Sequence, residues 1–194
     1  MVKSSLQIQN EINQSQLRTH LAFIDSFGKW CRQQSWRLVL YGGYGLDGYL
    51  RTITRNHGDI DLVIYGQTTR ALALASIANY LHKAISEVEI KSKDEEFLID
   101  IKVKSKIISG NLYYVQTGED PFNTLSIVIK TDGSKVTNSP TDFPPPVSGQ
   151  LGDLAVEVQD QSAHLADILR KRSSEISHSK HDQDIVNIQT ILTK

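Results

Sequence analysis

The chain has 194 residues, 21 Lys and Arg against 22 Asp and Glu, and a net charge of −1. The length fits one domain, and 39% hydrophobic residues suffice to fill a core. The even charge balance excludes a generally basic nucleic-acid binder and counts against a nucleic-acid partner. Cys31, the single cysteine, excludes an intramolecular disulfide or a cysteine-built zinc site.

Met1 to Gln16 is polar and lacks the apolar stretch of a signal peptide, and no apolar run approaches the roughly 18 residues of a spanning helix. The expectation is a cytoplasmic protein with no membrane partner. Residues 13–34 carry Leu17, Leu21, Phe23, Ile24, Phe27, Trp30 and Cys31 near helical spacing, giving one apolar face. Trp36 to Tyr41 is a short apolar run ended by Gly42-Gly43, the pattern of a buried strand entering a tight turn. Residues 44–51 suit a short helix, Asp59 to Tyr65 a second strand, and the Ala- and Leu-rich Gln67 to Ala84 a helix.

Val88 to Ile90, Glu96 to Val103, Ile107 to Gln116 and Leu125 to Lys130 read as further strands. Pro144-Pro145-Pro146 removes three backbone donors, so 132–149 is expected to be an irregular connection. Helical periodicity resumes in 160–174 and 181–193. The predicted organisation is a core over 1–131, the connection over 132–149, and a helical segment over 150–194 packed on the core as one unit. This order of elements predicts an α+β class, a mixed sheet flanked by helices with further helices at the carboxyl end.

The chemistry concentrates in Gly42 to Asp47, Arg51, Thr54 to Gly58 and Asp59-Ile60-Asp61-Leu62. In a strand, residues i and i+2 share a face, so Asp59 and Asp61 point one way while Ile60, Leu62 and Ile64 point into the core. Two like charges side by side are tolerated when water screens them or when a cation lies between them. Mg²⁺ favours one or two carboxylates completed by water and substrate phosphates. Gly42-Gly43 lets the backbone approach a bulky anion with its N–H groups turned toward phosphate oxygens. Phosphate-cradling glycines followed by paired carboxylates describe a site for a metal–nucleoside triphosphate. A third carboxylate is expected from a neighbouring strand, and Asp100, within an apolar run where desolvation is costly, is the candidate metal ligand and general base.

These residues resemble the signature of the aminoglycoside 2''-nucleotidyltransferases and lincosamide nucleotidyltransferases, of the DNA polymerase beta-like nucleotidyltransferase superfamily. The family pattern is Gly-Gly, an aromatic, a small residue, then Arg, Thr-Arg, His and Asp-x-Asp-Leu. Tyr44 stands where tryptophan is usual, and Gly45 where alanine is usual. The close match covers 38–65. The tail, with Lys171 and Lys180 to Ile185, loosely echoes the family's carboxy-terminal helices, with His181 interrupting the pattern.

The resemblance implies the nucleotidyltransferase fold and a reaction. Mg²⁺ on Asp59, Asp61 and Asp100 holds a nucleoside triphosphate, ATP by expectation, with its phosphates on Gly42 and Gly43. An acceptor hydroxyl on a small molecule, an aminoglycoside or lincosamide, attacks the α-phosphorus, and pyrophosphate leaves. Positioning and charge neutralisation suffice for such in-line transfer.

Arg55 is read two ways, as a triphosphate contact or as a partner of Asp47, and His57 as a turn brace or a base. Lys171, Arg172 and Lys180 either neutralise pyrophosphate or form a solvated face. Tyr113 and Tyr114 are core or an acceptor platform. A cationic acceptor calls for an acidic cleft, for which Glu87, Glu89, Asp94, Glu95 and Glu96 are the candidates. The alternatives are a toxin-type enzyme acting on tRNA or protein and a non-catalytic nucleotide-binding module.

Overall fold

The computed structural model describes residues 13–94, 98–117, 128–131, 134–137, 146–160 and 186. Helix α1 (Gln14–Gln33) begins where the Asn13 side chain accepts a hydrogen bond from Gln16 N at 3.1 Å. It ends where Ser35 adopts a φ of 58° and Trp36 N donates to Cys31 O at 2.8 Å. Its buried stripe includes Phe23, Ile24, Phe27 and Cys31, as the spacing predicts.

The chain continues through β1 (Arg37–Tyr41), α2 (Gly42–Leu50), β2 (Asp61–Gly66), α3 (Arg70–Ala84), β3 (Glu89–Asp94), β4 (Leu98–Lys104) and β5 (Ser109–Gln116). It then forms β6 (Val128–Thr131), β7 (Ser134–Thr137), β8 (Val147–Leu151) and β9 (Leu154–Val158). Seven strands form one mixed sheet in the order β3-β4-β5-β2-β1-β9-β8, and β6 and β7 form a separate antiparallel pair. β1 runs antiparallel to β2 and parallel to β9, while β2 runs parallel to β5.

Alternation along the strands gives the sheet two different faces. Leu40, Leu62, Ile64, Ile101, Leu112 and Tyr114 pack with Phe23, Phe27 and Ile77 in the main core, which places α1 and α3 on that face. An aromatic group joins the two helices: Phe27 stacks on Phe23 and Trp30 at 5.4 Å, and Trp30 on Tyr80 at 4.6 Å. The opposite face carries a smaller cluster, Val39, Val63, Tyr65, Leu98 and Val115, flanked by Tyr41 and Tyr113.

The expected class stands, with corrections. The ladder of β2 starts at Asp61, so Asp59 precedes the strand. The connection expected over 132–149 contains β7, β8 crosses the boundary drawn at 149/150, and β9 lies beyond it, where a helical segment was expected. Pro146 lies just ahead of β8, so its missing donor stays out of the ladder. β8 is an edge strand of mixed composition, Val-Ser-Gly-Gln-Leu, with no continuous apolar run to announce it. The signals that identify the hairpin are the alternation in Leu154 to Val158 and the two-residue loop Gly152-Asp153, with Gly152 at a φ of 59°. The helical stretches expected over 160–174 and 181–193, Lys171 and Lys180 included, lie outside the described residues, apart from Asp160, which is not helical, and the lone helical residue Val186. Among the described residues no helix is long and apolar enough to cross a membrane.

Phe27 is wholly buried at the centre of the aromatic group, whereas Leu72 on α3 is 62% exposed. Phe27→Ala is expected to cost about 3–5 kcal/mol, with Leu72→Ala nearly neutral. Thermal unfolding of both variants checks this, and equal losses would contradict the assignment of the core.

Candidate active site

The site begins where β1 hands over to α2. Tyr41 pairs with Asp61 across the β1–β2 ladder, so the residue after Tyr41 falls beside the acidic strand. That residue, Gly42, has a φ of 58°, a conformation glycine adopts without strain. A Cβ on it would come within 2.7 Å of Asp61 Oδ2. α2 starts there, and the N–H groups of a helix's first turn lack intrahelical partners and attract anions. The glycine turn and Asp61 therefore adjoin.

Behind this turn is a buried brace. Asp47, on α2, is fully buried and accepts from Thr54 N at 3.1 Å and Thr54 Oγ1 at 2.6 Å. Its other oxygen, Oδ2, is 2.6 Å from Nε2 of the buried His57. The far side of that imidazole lies against Gly43, where a Cβ would meet His57 Nδ1 at 2.3 Å and Arg55 Nη2 at 3.0 Å. The Tyr44 ring lies 4.4 Å from the His57 ring, and its hydroxyl is 2.9 Å from His20 Nδ1 on α1. Of the two readings of His57, the geometry favours the brace. The Arg55 guanidinium also lies at the glycine turn.

The loop before β2 is held down from both sides. Asn13 N donates to Asn56 Oδ1 at 2.7 Å, and Gln16 Nε2 to the His57 carbonyl at 3.2 Å. Ile60 N donates to Ser109 O at 2.9 Å, and Ser109 Oγ to Gly58 O at 3.0 Å. Asp59 is exposed at the end of this loop and Asp61 is half-buried. On β5, Asn111 Nδ2 donates to Asp61 Oδ1 at 2.9 Å.

Asp100 is placed differently from expectation. It stands on β4, and β5 lies between β4 and β2. Registers put Asp100 opposite Tyr113, and Tyr113 beside Val63, so Asp100 shares the face of Asp61 but is two strands away. Its other cross-strand neighbour is Lys93. Among the described residues no three His, Cys, Asp or Glu gather closely enough to hold a metal. Tyr114 belongs to the main core, and Tyr113 flanks the smaller cluster. The acidic cleft expected for a cationic acceptor is neutralised where it is described. Glu87 pairs with Lys106 at 2.7 Å, Glu89 with Lys91 at 2.8 Å and Asp94 with Arg70 at 3.2 Å. Glu95 and Glu96 lie outside the described residues.

Burial lowers the pKa of His20. A backbone hydrogen bond at Ile107 opposes this, His57 adds to it, and the Asp59 charge opposes it more weakly. Below the ordinary value of 6.5 the unfolded chain therefore binds more protons at this residue than the folded one. The stability it contributes is complete above that pH and falls as the pH drops through it. Melting temperatures between pH 8 and 5 are expected to decline on the acid side, and His20→Gln to flatten that decline; an unchanged slope would contradict it. His57→Ala leaves the Asp47 carboxylate buried without its imidazole and is expected to cost about 3–5 kcal/mol in urea unfolding. A loss under 1 kcal/mol would show that the pair does not brace the turn.

Residues 28–124, half of the chain, match the sequence family described as aminoglycoside-2''-adenylyltransferase. The fold is similar to that of ANT(2'')-Ia in complex with adenylyl-2''-tobramycin, with a TM-score of 0.58, 16% identity and 90% of each chain covered. It is equally similar to the lincosamide antibiotic adenylyltransferase LnuA, lincomycin-bound, with a TM-score of 0.58, 16% identity, and 93% of this chain and 99% of that one covered. An antigenic nucleotidyltransferase-like protein from Paracoccidioides brasiliensis matches with a TM-score of 0.50 and 13% identity, covering 93% of this chain and 78% of that one. No curated protein sequence matches. The structural likenesses establish the fold, and the sequence match establishes the descent: the chain belongs to the aminoglycoside-2''-adenylyltransferase family and is a nucleotidyltransferase.

Proposed function

We propose that the protein transfers a nucleoside monophosphate, AMP from ATP, to a hydroxyl of a small antibiotic-like acceptor and releases pyrophosphate. The observation that carries this reading is the adjacency of the glycine turn and Asp61, where a Gly42 Cβ would fall 2.7 Å from the carboxylate. Space cleared of side chains at a helix N-terminus, next to a carboxylate, suits a phosphate that arrives with a cation.

Asp59 and Asp61 fit Mg²⁺, which is commonly held by one or two carboxylates with substrate phosphates completing its shell. Bound there, the ion would neutralise the triphosphate and polarise the phosphorus under attack. The residues of the chain supply the rest. First-turn N–H groups of α2 bind and orient phosphate oxygens, and the Arg55 guanidinium adds a planar donor fork beside Gly43. Asp47 and His57, buried behind the turn, hold that backbone in place through the reaction. Asp100, two strands from Asp61, is left out of the metal shell in this reading.

The acceptor belongs to the aminoglycoside or lincosamide type. Because Glu87, Glu89 and Asp94 are each paired with a cation, they offer little acidic cleft for a polycation, and of the two types this favours the less charged lincosamide. Lys171, the expected partner of the leaving pyrophosphate, keeps that proposed role. The cytoplasm is the proposed compartment.

Pyrophosphate release with ATP and Mg²⁺ across a panel of aminoglycosides and lincosamides tests the reading. Asp59→Asn and Asp61→Asn are each expected to lower turnover roughly 10²–10³-fold or more with folding retained. Asp100→Asn is expected to stay within about tenfold of the wild type, below the roughly 10²-fold loss typical of an essential group. Full activity in either of the first two variants would overturn the metal assignment. Silence of the wild type on the whole panel would favour a macromolecular acceptor or a non-catalytic module.

A further inference from the structure

We propose that Asn111 occupies the position from which a third carboxylate would enter the metal site, and that it acts instead as the positioning residue for Asp61. This inference rests on the assignment of Asp59 and Asp61 as metal ligands. β5 is the strand beside β2, and the register Leu62 opposite Leu112 brings Asn111 alongside Asp61 on the same face. The contact is direct, with Asn111 Nδ2 at 2.9 Å from Asp61 Oδ1. An ionised carboxylate only accepts hydrogen bonds, so the amide must turn its NH₂ toward it. An NH₂ group donates and cannot ligate a cation.

The consequence is a division of labour between the two oxygens of Asp61. Oδ1 is fixed by the amide, while Oδ2 lies against Gly42 at the phosphate turn. The site then carries two carboxylates, Asp59 and Asp61, where a carboxylate at position 111 would make three. Asp100 does not make up the difference, because β5 intervenes. A two-carboxylate site binds a hard divalent ion weakly by itself and completes the shell with phosphate oxygens. The metal therefore enters with the nucleotide, and the empty site escapes the repulsion of a third adjacent charge.

The experiment titrates the full chain with Mn²⁺, alone and with ATP, following free Mn²⁺ by electron paramagnetic resonance. Wild-type protein is expected to hold Mn²⁺ well only with ATP. Asn111→Asp is expected to bind Mn²⁺ alone at least tenfold more tightly, to melt at lower temperature without metal, and to recover when Mn²⁺ is added. Adding Asp61→Asn should abolish that gain. Asn111→Ser, a smaller change that keeps the strand polar, is expected to weaken Mn²⁺–ATP binding about 10–100-fold by releasing Asp61.

If wild-type protein binds Mn²⁺–ATP and both Asn111 variants match it, the inference is overturned and the nucleotidyl-transfer reading survives. If the wild type ignores Mn²⁺–ATP yet Asn111→Asp gains Mn²⁺, the placement of Asn111 stands and the transfer reading falls.

Discussion

Asp47 is a carboxylate with no access to water, and the candidate site is arranged around satisfying it. A buried charge needs hydrogen bonds and an opposite partner, or its desolvation destabilises the fold. Thr54 supplies two donors and a ring nitrogen of His57 lies 2.6 Å from the remaining oxygen, so the loop between α2 and β2 must fold back over α2. That fold-back presses the His57 ring against Gly43 and Tyr44, and ties α1 in through His20. The glycine turn is thereby backed by a wall of buried side chains. A turn that must hold an anion in register with a reacting group benefits from such preorganisation.

The second constraint is the register between β1 and β2. Tyr41 opposite Asp61 is what converts two local motifs, Gly-Gly and Asp-x-Asp, into one site. A slip of one residue would send Asp61 to the face where α1 and α3 pack, into the main core. The apolar alternation of Leu62 and Ile64 against Leu40 prevents that slip, since each is almost completely buried. Packing energy and chemical geometry thus enforce the same alignment.

What was legible in the sequence follows from these two constraints. Gly42-Gly43, Asp47, His57 and the Asp-x-Asp pair lie within twenty residues of each other, so local patterning reveals them. The role of Asp100 depended on sheet order, which is not a local property. β4 and β5 both read as apolar strands, and which of them adjoins β2 is decided by the parallel pairing of β2 with β5 across the intervening helix and hairpin. Asn111 carried a usable signal, a polar residue inside an apolar strand, but its meaning needed the same sheet order. The β8–β9 hairpin was hidden because β8 is a short edge strand of Ser, Gly and Gln, partly exposed, where burial imposes no continuous pattern.

The order of residues across the open face explains why the acidic centre is small. Running along the sheet, Lys93 stands beside Asp100, Tyr113 follows on β5, and Asn111 then meets Asp61. The uncharged strand β5 therefore separates Asp61 from Asp100, and a lysine stands opposite Asp100. Coulombic repulsion between Asp61 and Asp100 is weakened by distance, and Asp100 can be accommodated as a structural charge near Lys93. What is left at the glycine turn is Asp61, with Arg55 beside Gly43 and Asp59 exposed at the end of the loop that leads into β2. In the proposed reading that charge density is too low to trap a free divalent ion firmly, and it suits an ion delivered by a triphosphate. The neutral identity of position 111 and the placement of the glycine turn thus point to the same order of binding.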